Sequence, residues 1–153
     1  MFEGSYFQQA YVTRNVDAAV AMFSKRLGRS DIRSFEVTNT ITTPVGVGEL
    51  HSKLCLFWIG DVQIELIQPL GGMAEIYSDA LPPDDSLVFH HVNFRLPDWD
   101  TFRTKVAAHN SPIALEGATD FVKYLYIDER ATLGHFVEYC YMEDDTWEMM
   151  RKM

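Results

Sequence analysis

A chain of 153 residues, 47% hydrophobic and 23% charged, suits one domain or two closely packed small modules, and it is too apolar to be disordered. Its net charge of −9 argues against nucleic-acid binding, which needs clustered Lys and Arg to neutralise phosphates. No apolar run approaches the roughly 18–20 residues of a membrane span, and the start MFEGSYFQQ lacks the features of a secretion signal, so a cytoplasmic protein that avoids membranes is expected.

In chain order, the first strand is predicted at about 7–13. Asn15 is placed as a helix N-cap with Asp17 in the first turn. Val16, Ala19, Val20, Phe23 and Leu27 follow as one helical apolar stripe that stops at Gly28. DIRSFEV (31–37) alternates as a second strand, and the Thr- and Gly-rich stretch 38–50 is read as a long loop or irregular strand. KLCLFWIG (53–60) and VQIELIQ (62–68) form a hairpin around Gly60-Asp61. Residues 69–86 read as a linker with a short helix near 73–80.

The same order then recurs. LVFHHVNFRL (87–96) is a strand, Asp98 an N-cap, and Trp99, Phe102 and Val106 a helical stripe ended by Asn110 and Pro112. Three further strands are expected at 112–116, 121–127 and 135–141, with an amphipathic tail helix over 143–153 carrying Trp147 and Met150. The doubled βαβββ order excludes an all-parallel wound sheet and fits an α+β fold. Cys55 and Cys140 lie in apolar runs without CxxC spacing and are read as reduced core residues.

Strand parity sorts the polar residues onto faces. His91, Asn93 and Arg95 share the face opposite Val88, Val92 and Phe94, while Gln63, Glu65 and Ile67 share another. Glu138 shares its face with Phe136 and Cys140, an expensive place for a carboxylate without a partner or cation. His90 is read as facing the other way from His91, as a core or surface residue. Gln8 lies seven residues before Asn15, as His91 lies seven before Asp98, so a pseudo-twofold fold would gather Gln8, Glu65, His91 and Glu138 as a metal site. Arg95 and Asn93, on the His91 face, and Tyr124 and Tyr126, on one strand face, are candidate substrate contacts.

The segments QAYVTRNVDAAVAMFSKRLG, GDVQIELIQPL, FHHVNFRLPD and LGHFVEY, in this order and spacing, resemble the vicinal oxygen chelate superfamily over residues 6–142. That superfamily includes glyoxalase I, methylmalonyl-CoA epimerase, extradiol dioxygenases and bleomycin-binding proteins. The resemblance implies one glyoxalase-like domain over 1–153, built of βαβββ modules at 6–68 and 87–142 that curve into a mixed-sheet cup. It places the family's metal positions on Gln8 (or Gln9, if the turn is one residue shorter), Glu65, His91 and Glu138. The cofactor implied is a divalent ion such as Zn, Ni, Co, Mn or Fe, and the partner a small-molecule substrate. A homodimer is also implied.

Extradiol dioxygenases carry His at the first position, so Gln8 ranks dioxygenase chemistry third. The Gln, Glu, His, Glu order resembles animal-type glyoxalase I. However, Val12 and Pro69 stand where its glutathione-binding Arg and Asn would be, which argues against glutathione. The implied activity is a metal-dependent lyase or isomerase that moves a proton alpha to a carbonyl, with Glu138 as the proton carrier and Glu65 second. The alternative is a metal-free small-molecule binding protein of the bleomycin-resistance type.

Overall fold

Eight strands close into a single barrel in the order β1-β4-β3-β2-β6-β7-β8-β5, in a computed structural model that describes residues 3–153. The first module comprises β1 (Ser5–Val12), α1 (Val16–Leu27), β2 (Ser34–Thr43), β3 (Gly46–Ile59) and β4 (Val62–Gly72). A short helix α2 (Glu75–Ser78) leads to β5 (Val88–Arg95), α3 (Trp99–His109), β6 (Ile113–Ala118), β7 (Lys123–Glu129) and β8 (His135–Tyr141), and α4 (Asp144–Arg151) ends the chain. Among the described residues, no helix is long and apolar enough to cross a membrane.

The two long helices start and stop as their cap residues dictate. The Asn15 side chain accepts from the Ala18 N–H at 3.0 Å, and Asp98 accepts from the Thr101 N–H at 2.7 Å. Gly28 and Asn110 end the helices in the left-handed conformation. Each helix lies on the outside of its own module. Val16 and Ala19 of α1 pack on Cys55, Phe57, Ile64 and Leu66, whereas Phe102 and Val106 of α3 pack on Leu125, Val137 and Tyr139. Strand residues of the opposite parity fill the barrel, including Val12, Ile41, Ile67, Leu115 and Phe136. Both cysteines are buried and free, as their apolar surroundings predicted.

Of the two readings of 38–50, loop or irregular strand, the loop is overturned here. Residues 38–50 are not a loop: β2 and β3 pair without interruption from Ser34–Cys55 to Thr43–Gly46 around a tight turn at Pro44 and Val45. Thr and Ile, branched at Cβ, favour the extended backbone, and Gly46 and Gly48 are held in register by their pairing with Thr43 and Ile41 of β2. The extension has an architectural effect. It carries Ile41 and Thr42 far enough to pair with Gly117 and Glu116 of β6, which closes the expected curved sheet on this side.

The second closure joins β1 to β5, antiparallel, with Gln8 opposite Asn93 and Ala10 opposite His91. Outside this pair, β4 runs parallel to β1 and β8 runs parallel to β5. Ala10 stands beside Glu65, and Asn93 stands beside Glu138. The two modules are therefore related by a pseudo-twofold axis that makes Gln8 equivalent to His91 and Glu65 equivalent to Glu138. Both seams lie within one chain, so a single chain assembles everything described below.

Candidate metal centre

Three ligand-type side chains converge inside the barrel: Glu65 from β4, His91 from β5 and Glu138 from β8, with one donor atom of each within 4.8 Å of the others. His91 is wholly buried, and Glu138 nearly so. His91 Nε2 lies 3.1 Å from Glu138 Oε2 and 3.4 Å from Glu65 Oε2, yet it makes no hydrogen bond. A cation bonded to N and O donors at about 2.0–2.2 Å holds adjacent donors roughly 3 Å apart, so these separations suit one divalent ion. Two carboxylates would cancel its charge, and the imidazole would complete a three-residue set with room for further oxygen ligands.

The state of His91 is set from behind. On β5 the pairing with β1 skips a residue, passing from Ala10–His91 to Tyr11–Phe89 and leaving His90 in a bulge. A bulge breaks strict alternation, so His90 turns to the same side as His91 rather than to the opposite face, which corrects the parity reading. The ring of His90 stacks on Phe136 at 4.9 Å. Its Nε2 lies 2.7 Å from the Ile76 carbonyl oxygen, and its Nδ1 lies 2.8 Å from His91 Nδ1. Burial, reinforced by neighbouring His91, pulls the His90 pKa down to about 3, so the ring is neutral.

A neutral ring carries one N–H, and the Ile76 carbonyl can only accept, so that proton is on His90 Nε2. His90 Nδ1 is then an acceptor, His91 Nδ1 is the donor to it, and His91 Nε2 faces the two glutamates. Burial would lower the His91 pKa, but the carboxylates of Glu138 and Glu65 that face its Nε2 outweigh it and raise it to about 9. His91 Nε2 therefore holds a proton, the position at which a divalent ion would be held, while Nδ1 stays hydrogen-bonded to His90.

Gln8 faces the barrel interior, whereas Gln9 bonds the Tyr11 hydroxyl on the α1 side. The Gln8 carbonyl is already engaged: Asn93 Nδ2 donates to Gln8 Oε1 at 3.1 Å and to Glu138 Oε2 at 2.7 Å. Gln8 Nε2 in turn donates to Gln63 Oε1 at 2.7 Å. Of the four expected ligands the structure thus brings three into direct proximity, and Gln8 joins through Asn93. Asn93 orients Glu138 through its Nδ2, while its Oδ1 has no hydrogen-bond partner. Burial raises the Glu138 pKa, against the lowering influence of His91 and the Tyr126 hydroxyl.

A cavity of about 340 Å³ opens from this cluster toward α4. Glu65, Glu138, Asn93, Tyr124 and Tyr126 all line it, as do Met149, Met150 and Met153 at the chain end. Gly117 makes room for Tyr124, whose hydroxyl oxygen would sit 2.5 Å from any Cβ there. Tyr126 is tied to Tyr77 by a 2.8 Å hydroxyl pair, and burial pushes both phenols well above their usual pKa.

Arg95 does not reach the cavity. Its guanidinium bonds the Met142 carbonyl and Asp144 and lies over Trp147, so it anchors α4 and cannot hold a substrate anion. The same helix is held by Trp58, whose indole N–H donates to the Met150 carbonyl at 3.1 Å. Sequence reasoning missed Gln63, Tyr77 and the methionines as site residues. Gln63 shares its strand face with Glu65 and was open to detection; Tyr77 and the methionines carry no local signal.

No family model matches the chain, and no match is found among curated proteins. Solved structures do match over nearly its whole length. The methylmalonyl-CoA epimerase of Mycobacterium tuberculosis superposes with a TM-score of 0.62 at 13% identity, covering 97% of both chains. A hypothetical protein from Bacillus halodurans C-125 gives 0.59 at 13%, covering 92% of this chain and 95% of its own. A Streptomyces coelicolor methylmalonyl-CoA epimerase variant in complex with 2-nitronate-propionyl-CoA gives 0.58 at 11%, covering 92% and 99%. The chain therefore has the α+β fold of these methylmalonyl-CoA epimerase structures, in keeping with the fold class expected from the sequence.

Proposed function

We propose that this protein is a divalent-metal-dependent isomerase or lyase that moves a proton alpha to the carbonyl of a small substrate. One observation carries the reading: a fully buried histidine whose unbonded Nε2 faces two glutamate carboxylates that line a cavity. Glu65, His91 and Glu138 would hold the ion, with Gln8 as a fourth ligand if its amide turns from Asn93. When bound, the ion supplies Lewis-acid polarisation of the carbonyl, which acidifies the neighbouring C–H.

The chain's own residues do the rest. Glu138 takes the alpha proton on its carboxylate, since burial raises its basicity toward the range useful for proton transfer. Asn93 holds that carboxylate by its 2.7 Å hydrogen bond and fixes its direction. Glu65, its pseudo-twofold counterpart, stands on the other strand flank and can return a proton to the opposite face, the arrangement an epimerisation needs. The phenols of Tyr77 and Tyr126 remain protonated and uncharged, so they shape the cavity without competing for the proton. Epimerases among the structural neighbours support the reaction class; their coenzyme A substrates are not carried over with it.

The direct test is metal content after expression and dialysis without chelator, combined with NMR of deuterium exchange into small α-hydroxyketones in D2O. One divalent ion per chain and exchange that stops on chelation are expected. Protein that binds no ion under any loading condition, and exchanges nothing, would mark a metal-free binding module instead.

Two further outcomes follow from the histidine pair. Below about pH 9, ion uptake displaces the His91 proton, so calorimetry in buffers of different ionisation enthalpy should show about one proton released per ion. The His91 pKa is raised on folding, so its contribution to the metal-free protein is full below about pH 6.5 and lost as pH rises through about 9. Melting temperature of the metal-free form should therefore fall between those limits, while the loaded form should not share this fall. Replacing His90 by leucine removes the acceptor for His91 Nδ1 and should weaken metal affinity by about 10- to 100-fold. His90→Gln, which keeps an acceptor oxygen, should retain most of it. Equal affinity in the leucine variant and the wild type, by chelator competition, would show that the tautomer is set in another way.

A further inference from the structure

The cavity above the three-residue cluster has an electrostatic character that the proposed reaction does not require. Among the described residues, no Lys, Arg or His side chain lines it; its only charged groups are Glu65 and Glu138. The two arginines nearest its mouth are already committed. Arg95 is paired with Asp144, and Arg151 bonds Asp61 at 3.1 Å while lying over Trp58.

The remaining walls are uncharged: Phe7, Leu54, Leu56, Val122 and Met142 supply apolar surface, Phe121 is exposed at the rim, and neutral polar side chains such as Ser52, Asn93 and Thr119 are interspersed. An ion bound by the two carboxylates would leave this chamber close to neutral. An anionic group entering it would lose its water and find neutral donors but no lysine, arginine or histidine in exchange.

We propose that the cavity selects a neutral, predominantly apolar carbonyl compound, of the aryl or branched-alkyl hydroxyketone class, and excludes substrates with a carboxylate or phosphate on the non-reacting part. The selection rests on the reaction proposed above for the identity of the reacting group, but not for the charge preference. Its size supports it: about 340 Å³ falls at the lower end of small-ligand pockets, enough for one ring and a short chain but not for an extended charged handle. So does its surface, since methionines and aromatic rings adapt to apolar ligands of varied shape. The two arginines that could serve an anionic substrate are instead paired with Asp144 and Asp61 in the contacts that hold α4.

The experiment uses three probes on the full chain: 2-hydroxyacetophenone, its 4-carboxy derivative and the methyl ester of that derivative. Binding is read from quenching of the Trp58 and Trp147 fluorescence, with and without bound zinc. The neutral ketone and the ester should bind at least tenfold more tightly than the carboxylate in both forms. Phe121→Arg places a cation at the rim on an exposed side chain, and it should improve the carboxylate relative to the neutral ketone by at least fivefold.

Equal or tighter binding of the carboxylate by the wild type would overturn the proposal. So would an unchanged ratio in Phe121→Arg, which would make shape, not charge, the reason for exclusion. Preference for a cationic amine over both neutral compounds in the zinc-loaded form would overturn it as well. If the metal reading fails, zinc uptake and proton exchange vanish while the charge preference persists, so the two failures are distinguishable.

Discussion

Substituting His91 by alanine is expected to abolish stoichiometric metal binding and to destabilise the protein by about 3–5 kcal/mol, the usual cost of removing one partner from a buried ionic cluster. The histidine is wholly buried and stands between two carboxylates, so its loss leaves Glu65 and Glu138 facing each other with no intervening charge. For a chain of this size, roughly 2–4 °C per kcal/mol makes the expected fall in melting temperature about 6–20 °C. Pairing the change with Glu138→Gln removes one of the two facing charges, so the double variant should recover part of the loss. A His91→Ala protein that keeps one ion per chain at wild-type affinity would remove His91 from the ligand set, and with it the function proposed here.

The second large effect is expected at Glu138. Glu138→Gln keeps an oxygen for a metal and an acceptor for Asn93 Nδ2, but it cannot accept a proton. Deuterium exchange into the substrate should fall by about 10²- to 10⁴-fold, the range that one positioned acid-base group contributes. Metal stoichiometry should survive. Stability of the metal-free form should fall by less than in His91→Ala, because the change removes one carboxylate facing the His91 ring, leaves Glu65 in place and relieves the burial of one charge. Glu65→Gln is the informative partner. A small loss there makes Glu138 the sole proton carrier, an equal loss in an epimerisation assay identifies a two-base reaction, and a larger loss reverses the assignment.

Much of the architecture was legible along the chain because it depends on near neighbours. Asn15 and Asp98 cap helices through contacts three residues away, and Gly28 and Asn110 stop them by local backbone geometry. Glu65 and Glu138 could be assigned to the inner face because alternation holds along β4 and β8, and Gln8 was separable from Gln9 by the same rule once the strand register was set. The open choice over 38–50, loop or irregular strand, shows the limit. The threonines of β2 and the glycines of β3 pair with each other across the hairpin and, at Thr42, with β6, so residue type alone does not distinguish a strand from a loop there.

Doubling of the strand-helix pattern, the sidedness of its regular strands and the helix ends were determined by the sequence alone, since each is a matter of steric and hydrogen-bonding preference over a few residues. The tertiary structure alone decided the rest. A bulge opposite Ala10 and Tyr11 turned His90 inward to set the His91 tautomer, and no alternation rule can anticipate a skipped pairing. Asn93 engaged both Gln8 and Glu138 across two strand interfaces. Arg95 was drawn to α4 by Asp144 and Trp147, nearly fifty residues along the chain, which left the cavity without a cation. Such charges and hydrogen bonds find their partners only when the barrel closes, because their energies depend on burial and on distances of about 3 Å that distant segments create together.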